Sequence, residues 1–222
     1  MKLGIAIPVV DHVPAEAYDS HLALAMRTAK KSAPEDEIYV LCVKNIFPHS
    51  RAREGLLELA IEKGLSRLLC VDSDMVVPPD GFHRLNQAMS ATGAAIVTGA
   101  FYQRGYPFSC TWSVEHEGKL VFAEYAPGSG LKQLKATGLA FTLLDLEWIS
   151  KNLDRPFFRM HHCGEVTVWE DGDFCNRVIE KGGLILGDTS VQCGHLLFRG
   201  SVDYRNVTSL RMQHMQDLEV TC

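Results

Sequence analysis

"RLLCVDSDMVVPPDGF", Arg67–Phe82, is the stretch from which the fold is read. Leu68, Leu69, Cys70 and Val71 form a short apolar run of the kind that makes a fully buried strand. The run ends on Asp72-Ser73-Asp74, and Pro78-Pro79 stops any continuation. The same pattern lies on both sides. Upstream, "KLGIAIPVV" (Lys2–Val10) and "EIYVLCV" (Glu37–Val43) are apolar runs. Each is followed by a segment with helical spacing, "PAEAYDSHLALAMRTAKKS" and "SRAREGLLELAIEKG". In the latter Leu56, Leu57, Ala60 and Ile61 share a face, and Gly64 suits the C-terminal stop. Downstream come a third helix, "PDGFHRLNQAMSATG", and a fourth strand, "AAIVTGAFY". Strands alternating with helices build a parallel sheet covered by helices. Such sheets bind ligands at the carboxyl ends of their strands, and there Asp72 and Asp74 lie.

After Tyr102 the character changes. "PFSCTWSVEHEGKLVFAEY" alternates like an antiparallel meander with a turn at Gly118. "PGSGLKQLKATG" reads as loop. "LAFTLLDLEWISKNL" reads as a strand running into a helix, and a further helix is expected from Asp171 to Lys181. "LILGDTSVQCGHL" reads as a strand and its exit. The segment from Arg199 is polar and weakly patterned.

The chain has 222 residues, 46% of them hydrophobic, enough for one sizeable core. A net charge of −5 gives no bulk attraction to nucleic acid or an anionic membrane. No apolar run approaches the roughly 18 residues of a membrane span, and no signal peptide is visible. Seven cysteines without a Cys-x-x-Cys pair point to a reduced, cytoplasmic setting.

Three constellations carry chemistry. Asp72 and Asp74 can face one hard cation, Mg²⁺ or Mn²⁺, which takes oxygen ligands and is shared with substrate phosphates. In "WEDGDFCNRVIEKGG", Glu170, Asp171 and Asp173 gather at a helix start, where acids suit the dipole. One of them, beside Trp169, is a candidate general base. His195, in "QCGHLL", is a candidate third ligand, and its imidazole would favour Mn²⁺. Two other classes fit parts of the pattern. Asp72-Ser73-Asp74-Met75-Val76 satisfies the Asp-x-Asp-x-Val pattern of haloacid-dehalogenase-like phosphatases, with Asp72 as nucleophile and "GDTS" (Gly187–Ser190) as metal motif. Position 192 is Gln, however, where that motif needs an acid. A zinc module would draw on His161, His162, Cys163, Cys175, Cys193 and His195, which lack the usual close ligand pairs.

The ordered set of Asp-x-Asp, Glu-Asp-x-Asp-Phe-Cys and Gly-His resembles glycosyltransferases of the GT-A fold. The likeness is closest to the small bacterial and phage members of the large inverting family 2, which includes cellulose and chitin synthases. It extends through "SRAREGLLELAIEKG", "VTGAFYQRGYPF" and "ATGLAFTLLDLEWI", over roughly residues 3–198. The resemblance implies an α/β fold: a Rossmann-like, mostly parallel sheet flanked by helices, with a smaller mixed or antiparallel acceptor-side region. It implies one domain, 1–198, with a nucleotide-binding half to about 102, an acceptor and catalytic half from 103, and a tail from 199 to 222. It implies a nucleotide-sugar donor, a divalent metal (Mn²⁺ or Mg²⁺) and a setting in bacterial or phage-infected host cytoplasm. The acceptor stays open among a glycan, a lipid-linked group, a protein and a nucleic-acid base. Carried over by position, Asp74 binds the metal, Asp72 contacts metal or ribose, and His195 is the third metal ligand. Asp171 is the catalytic base, with Glu170 the second choice. Pro8, Val9, Arg53 and Ser73 border the nucleotide, though Arg53-Glu54 stands where Arg-Asn is usual. Trp169, Tyr102 and Gly138 fall at the sugar or acceptor.

Overall fold

The computed structural model describes residues 1–163, 166–197 and 200–220. The elements run β1 (Lys2–Val9), α1 (Ala15–Lys31), β2 (Glu37–Lys44), α2 (His49–Glu62), β3 (Arg67–Val71), β4 (Met75–Val76), α3 (Gly81–Thr92) and β5 (Ile96–Ala100). Then come β6 (Ser113–His116), β7 (Lys119–Phe122), β8 (Leu131–Gln133), β9 (Phe141–Asp145), α4 (Leu146–Asn152), β10 (His161–Cys163) and β11 (Val166–Val168). The chain continues with α5 (Glu170–Glu180), β12 (Ile185–Gln192), β13 (Gly194–Leu196), β14 (Ser201–Val202) and α6 (Val207–Val220).

The main sheet has seven strands in the order β2-β1-β3-β9-β5-β12-β8. β1 pairs parallel with β2 and β3, and β5 parallel with β12. β9 runs antiparallel between β3 and β5, and β8 antiparallel along β12. The strands read from alternation are therefore present, and the sheet is mixed at two places. β9 is apolar on both faces and fully buried at Phe141, Leu143 and Leu144, so its sequence carries no sign of direction.

The inner strands of the sheet send side chains to two cores. On one face Leu56, Leu57 and Ala60 of α2, Leu146 and Ile149 of α4, and Phe174 and Val178 of α5 pack on the sheet. On the other, Leu24 of α1 and Phe82, Leu85 and Met89 of α3 do so. The result is a helix–sheet–helix sandwich, and its open rim is the carboxyl end of the parallel strands.

Three sequence expectations change. The loop-like stretch contains β8, too short for an alternation to be read. The meander is a single hairpin, β6–β7, turning at Glu117-Gly118, both at positive φ. The residues read as a tail contribute β14 and α6. Val202 and Val207 are buried, and Arg211 donates to the carbonyls of Pro107 and Phe108 and pairs with Glu124.

Candidate active site

Four rim segments converge. β3 runs directly into Asp72, whose N–H donates to the carbonyl of Ala140, the residue before β9, at 2.9 Å, tying the acid motif to that strand. A turn follows, with Met75 N–H donating to the Asp72 carbonyl at 3.1 Å, and it presents Ser73 and Asp74 to the rim. β13 pairs antiparallel with β4, His195 opposite Met75, and Leu196 N–H donates to the Asp74 carbonyl at 2.9 Å. That pairing sets the His195 ring beside the Asp74 carboxylate, Nε2 to Oδ2 3.4 Å. The third segment is the first turn of α5, with Glu170 and Asp171. The fourth is α2, which brings Arg53 inward.

Arg53 is the hub. Its Nη1 donates to Glu170 Oε1 at 2.7 Å, and its Nη2 to the two oxygens of Asp72 at 3.0 and 3.2 Å. Burial opposes the guanidinium charge, but the carboxylates of Asp72, Glu170 and Asp171 outweigh it and raise the pKa further. The neighbouring Glu54, where the resemblance expects Asn, turns away. It accepts from the backbone N–H groups of Phe157 and Phe158 at 3.0 and 2.8 Å and so anchors the segment before β10.

Burial pushes the Asp74 carboxyl up, but His195 and then Arg104 more than offset it and hold it below the usual range. Arg104 Nη1 lies 2.8 Å from Asp74 Oδ2, the same oxygen that faces His195. His195 Nδ1 is 2.7 Å from the Tyr102 carbonyl. A carbonyl only accepts, so Nδ1 donates to it and Nε2 is the atom turned toward Asp74, holding that carboxyl down when Nε2 is protonated as well. Asp171 behaves differently: burial first, and Glu170 in addition, raise its pKa against the pull of Arg53.

Two clefts share a wall made of Arg53, Asp72, Arg104 and His195. The first, of about 390 Å³, is also lined by Pro8, Val10, Asp11, His49, Asp74 and Glu170. The second, of about 480 Å³, is also lined by Phe101, Tyr106, Thr111, Gly138 and Asp171. Glu170 opens on the first cleft and Asp171 on the second. In the first, the carboxylates of Asp11, Asp72, Asp74 and Glu170 face the guanidiniums of Arg53 and Arg104. Counted over those carboxylates and guanidiniums alone, the excess is two negative charges.

Pro8, Arg53, Asp72, Ser73, Asp74, Glu170, Asp171, Gly138 and His195 thus all reach one cleft or the other. Three expectations are corrected. Val9 is 5% exposed and points into the core; Val10, the first residue beyond β1, lines the cleft instead. Tyr102 is likewise buried and gives the site its carbonyl rather than its ring. Trp169 is 63% exposed and lines neither cleft. Among the described residues no three His, Cys, Asp or Glu side chains gather as a metal-holding group. The expected triad is reduced to Asp74 with His195, since both oxygens of Asp72 are engaged by Arg53. Asp188 of "GDTS" opens on a different cleft and accepts from Ser190, away from Asp72. Cys175 and Cys193 are buried thiols in separate cores. Arg104, Val10, Asp11 and His49 were missed in the sequence. Val10 directly follows β1 and Arg104 lies on the loop that leaves β5, and a place at strand exits is the one signal that could have marked them.

Comparison with solved structures fixes the architecture. A197 from STIV superposes with a TM-score of 0.58 at 20% identity, covering 89% of this chain and 86% of that one. GalNAc-T7, solved with UDP, GalNAc and Mn²⁺, gives a TM-score of 0.53 at 11% identity, over 87% of this chain. The fold is GT-A-like. The match takes in 44% of the GalNAc-T7 chain. No family model matches the sequence, and no curated protein does.

Proposed function

We propose that the protein is a glycosyltransferase that moves a sugar from a nucleotide-sugar donor to an acceptor hydroxyl, with inversion and with a divalent cation. The observation that carries this is the division of Glu170 and Asp171 between two clefts that share one charged wall. The donor occupies the first cleft and the acceptor the second. GalNAc-T7, which shares the fold, was solved with UDP and Mn²⁺. The excess of two negative charges in the first cleft repels a diphosphate and suits a divalent cation. Asp74 and His195 are the residues that would hold the cation. The Nδ1–H bond to the Tyr102 carbonyl orients His195 as ligating histidines are oriented, with Nε2 as the ligand atom. Bound there, a cation stabilises the charge that develops on the leaving diphosphate. Asp72, already neutralised by Arg53, is assigned to a ribose hydroxyl rather than to the metal.

In the second cleft Asp171 accepts the proton of the acceptor hydroxyl as its oxygen attacks the anomeric carbon. The bond from that carbon to the diphosphate breaks, and the diphosphate leaves with the electron pair. The raised pKa makes Asp171 a stronger base than an exposed carboxylate. Glu170 holds Arg53, and through it Asp72, in place. The test is calorimetric titration with UDP, GDP, CDP and TDP, with and without Mn²⁺. At least one should bind in a Mn²⁺-dependent way, and Asp74→Ala should lose that binding while keeping its circular dichroism spectrum. Equal binding by the folded variant would refute the site.

A further inference from the structure

We infer that Arg104 is an exchangeable cation: it neutralises Asp74 in the empty enzyme, yields that carboxylate to the incoming metal, and then binds the donor diphosphate. The inference rests on the transferase reading and extends it to a residue outside the recognised motifs. Arg104 Nη1 and His195 Nε2 both address Asp74 Oδ2, at 2.8 and 3.4 Å. A divalent ion held by Asp74 and His195 takes the place of the guanidinium at that oxygen, because two cations cannot share it without strong repulsion. Arg104 is free to move. Its side chain is 59% exposed and stands on the loop after β5, whereas Arg53 is 11% exposed and fixed by two acids.

Arg104 already lines both clefts where it stands, so the released guanidinium has only a short way to travel to a ligand there. With the metal in place the first cleft no longer carries excess negative charge. An arginine fork there matches phosphate oxygens geometrically as well as electrically. Metal and diphosphate then help each other bind. The metal releases Arg104 for the diphosphate, and the diphosphate draws Arg104 off the metal site. Thermodynamic linkage requires the two effects to be equal, and coupling of this kind is commonly about 5–150-fold.

The test is Mn²⁺ titration followed by electron paramagnetic resonance, on wild type, Arg104→Ala, Arg104→Lys and Asp74→Ala, alone and with each of UDP, GDP, CDP and TDP. In wild type the nucleotide that binds should tighten Mn²⁺ at least about fivefold. Arg104→Ala should bind Mn²⁺ alone more tightly than wild type and lose most of the tightening. Arg104→Lys, which keeps the charge but not the fork, should leave Mn²⁺ affinity near wild type and weaken the tightening. If Arg104→Ala binds Mn²⁺ no better than wild type, or keeps the full coupling, the inference is wrong while the transferase reading stands. If wild type binds no Mn²⁺ under any condition, the transferase reading fails and the inference falls with it.

Discussion

Arg53 and Glu170 stand 117 positions apart in the chain and meet at 2.7 Å, one on α2 and the other in the first turn of α5. The contact joins α2 to the helix that carries the proposed base. The same guanidinium reaches Asp72, so one side chain fixes an acid after β3 and an acid of α5.

Removing it should be costly. Arg53→Ala leaves two poorly solvated carboxylates without a partner, and breaking a buried pair from one side typically costs about 3–5 kcal/mol. Urea unfolding of the variant should show a loss in that range, with Glu170→Gln losing less because Asp72 keeps its partner. A change below about 0.5 kcal/mol, the usual scale for a surface substitution, would mean that the network is not structural.

Asp171→Asn should lower kcat by about 10²–10⁴ and leave donor affinity nearly unchanged, since a base acts in the transition state. Glu170→Gln should act mainly on donor binding, through Arg53 and Asp72. Transfer rates and donor titrations for both variants distinguish the two acids. Near-full turnover in Asp171→Asn with turnover lost in Glu170→Gln would reverse their roles.

The raised pKa of Asp171 fixes two pH effects. The base works ionised, so kcat should fall on acidification at a pH above the ordinary carboxylate range. Stability runs the other way. A carboxyl whose folded pKa lies above its unfolded value favours the fold while protonated. That contribution is complete below the unfolded pKa and lost as pH rises through the folded pKa. Asp171→Asn should therefore be more stable than wild type at neutral pH. Its advantage should shrink through the folded pKa and vanish below the unfolded one. Denaturation midpoints of both proteins across that range check the sign.

Gly187 in β12 lies under the indole of Trp112, where a Cβ would come within 2.8 Å of the ring. Trp112 is fully buried, and its Nε1–H donates to the Gly99 carbonyl at 3.2 Å, so it cannot easily retreat. Gly187→Ala should cost about 1–3 kcal/mol, as overpacking does. Thermal unfolding should show the loss. An unchanged midpoint would mean that the ring has room to shift.

Much of the sheet was legible because β1, β2, β3 and β5 are apolar runs separated by helical spacing. That Asp72, Asp74, Asp171 and His195 would come together at the rim was legible because the rim rule and the ordered motifs both point there. The rest depended on long-range partners. Nothing local tells that Asp72 meets Arg53, that Tyr102 gives a carbonyl rather than a ring, or that Arg104 reaches Asp74. Trp169 misled because adjacency in sequence to Glu170 says nothing about which way the N-terminal residue of a helix turns. α6 was missed because its apolar residues do not gather on one face.

The antiparallel β9 has a consequence for how the chain comes together. β3 and β5 do not touch; each pairs with β9. A nascent chain that has emerged only as far as residue 100 holds two hydrophobic strands with open edges and no neighbour to join them. Those edges wait for Phe141–Asp145, so the first hundred residues cannot close their own sheet. A fragment cut at that boundary should be sticky rather than stable, because unpaired apolar edges invite pairing with other chains. Cooperative assembly should begin only once β9 has left the ribosome.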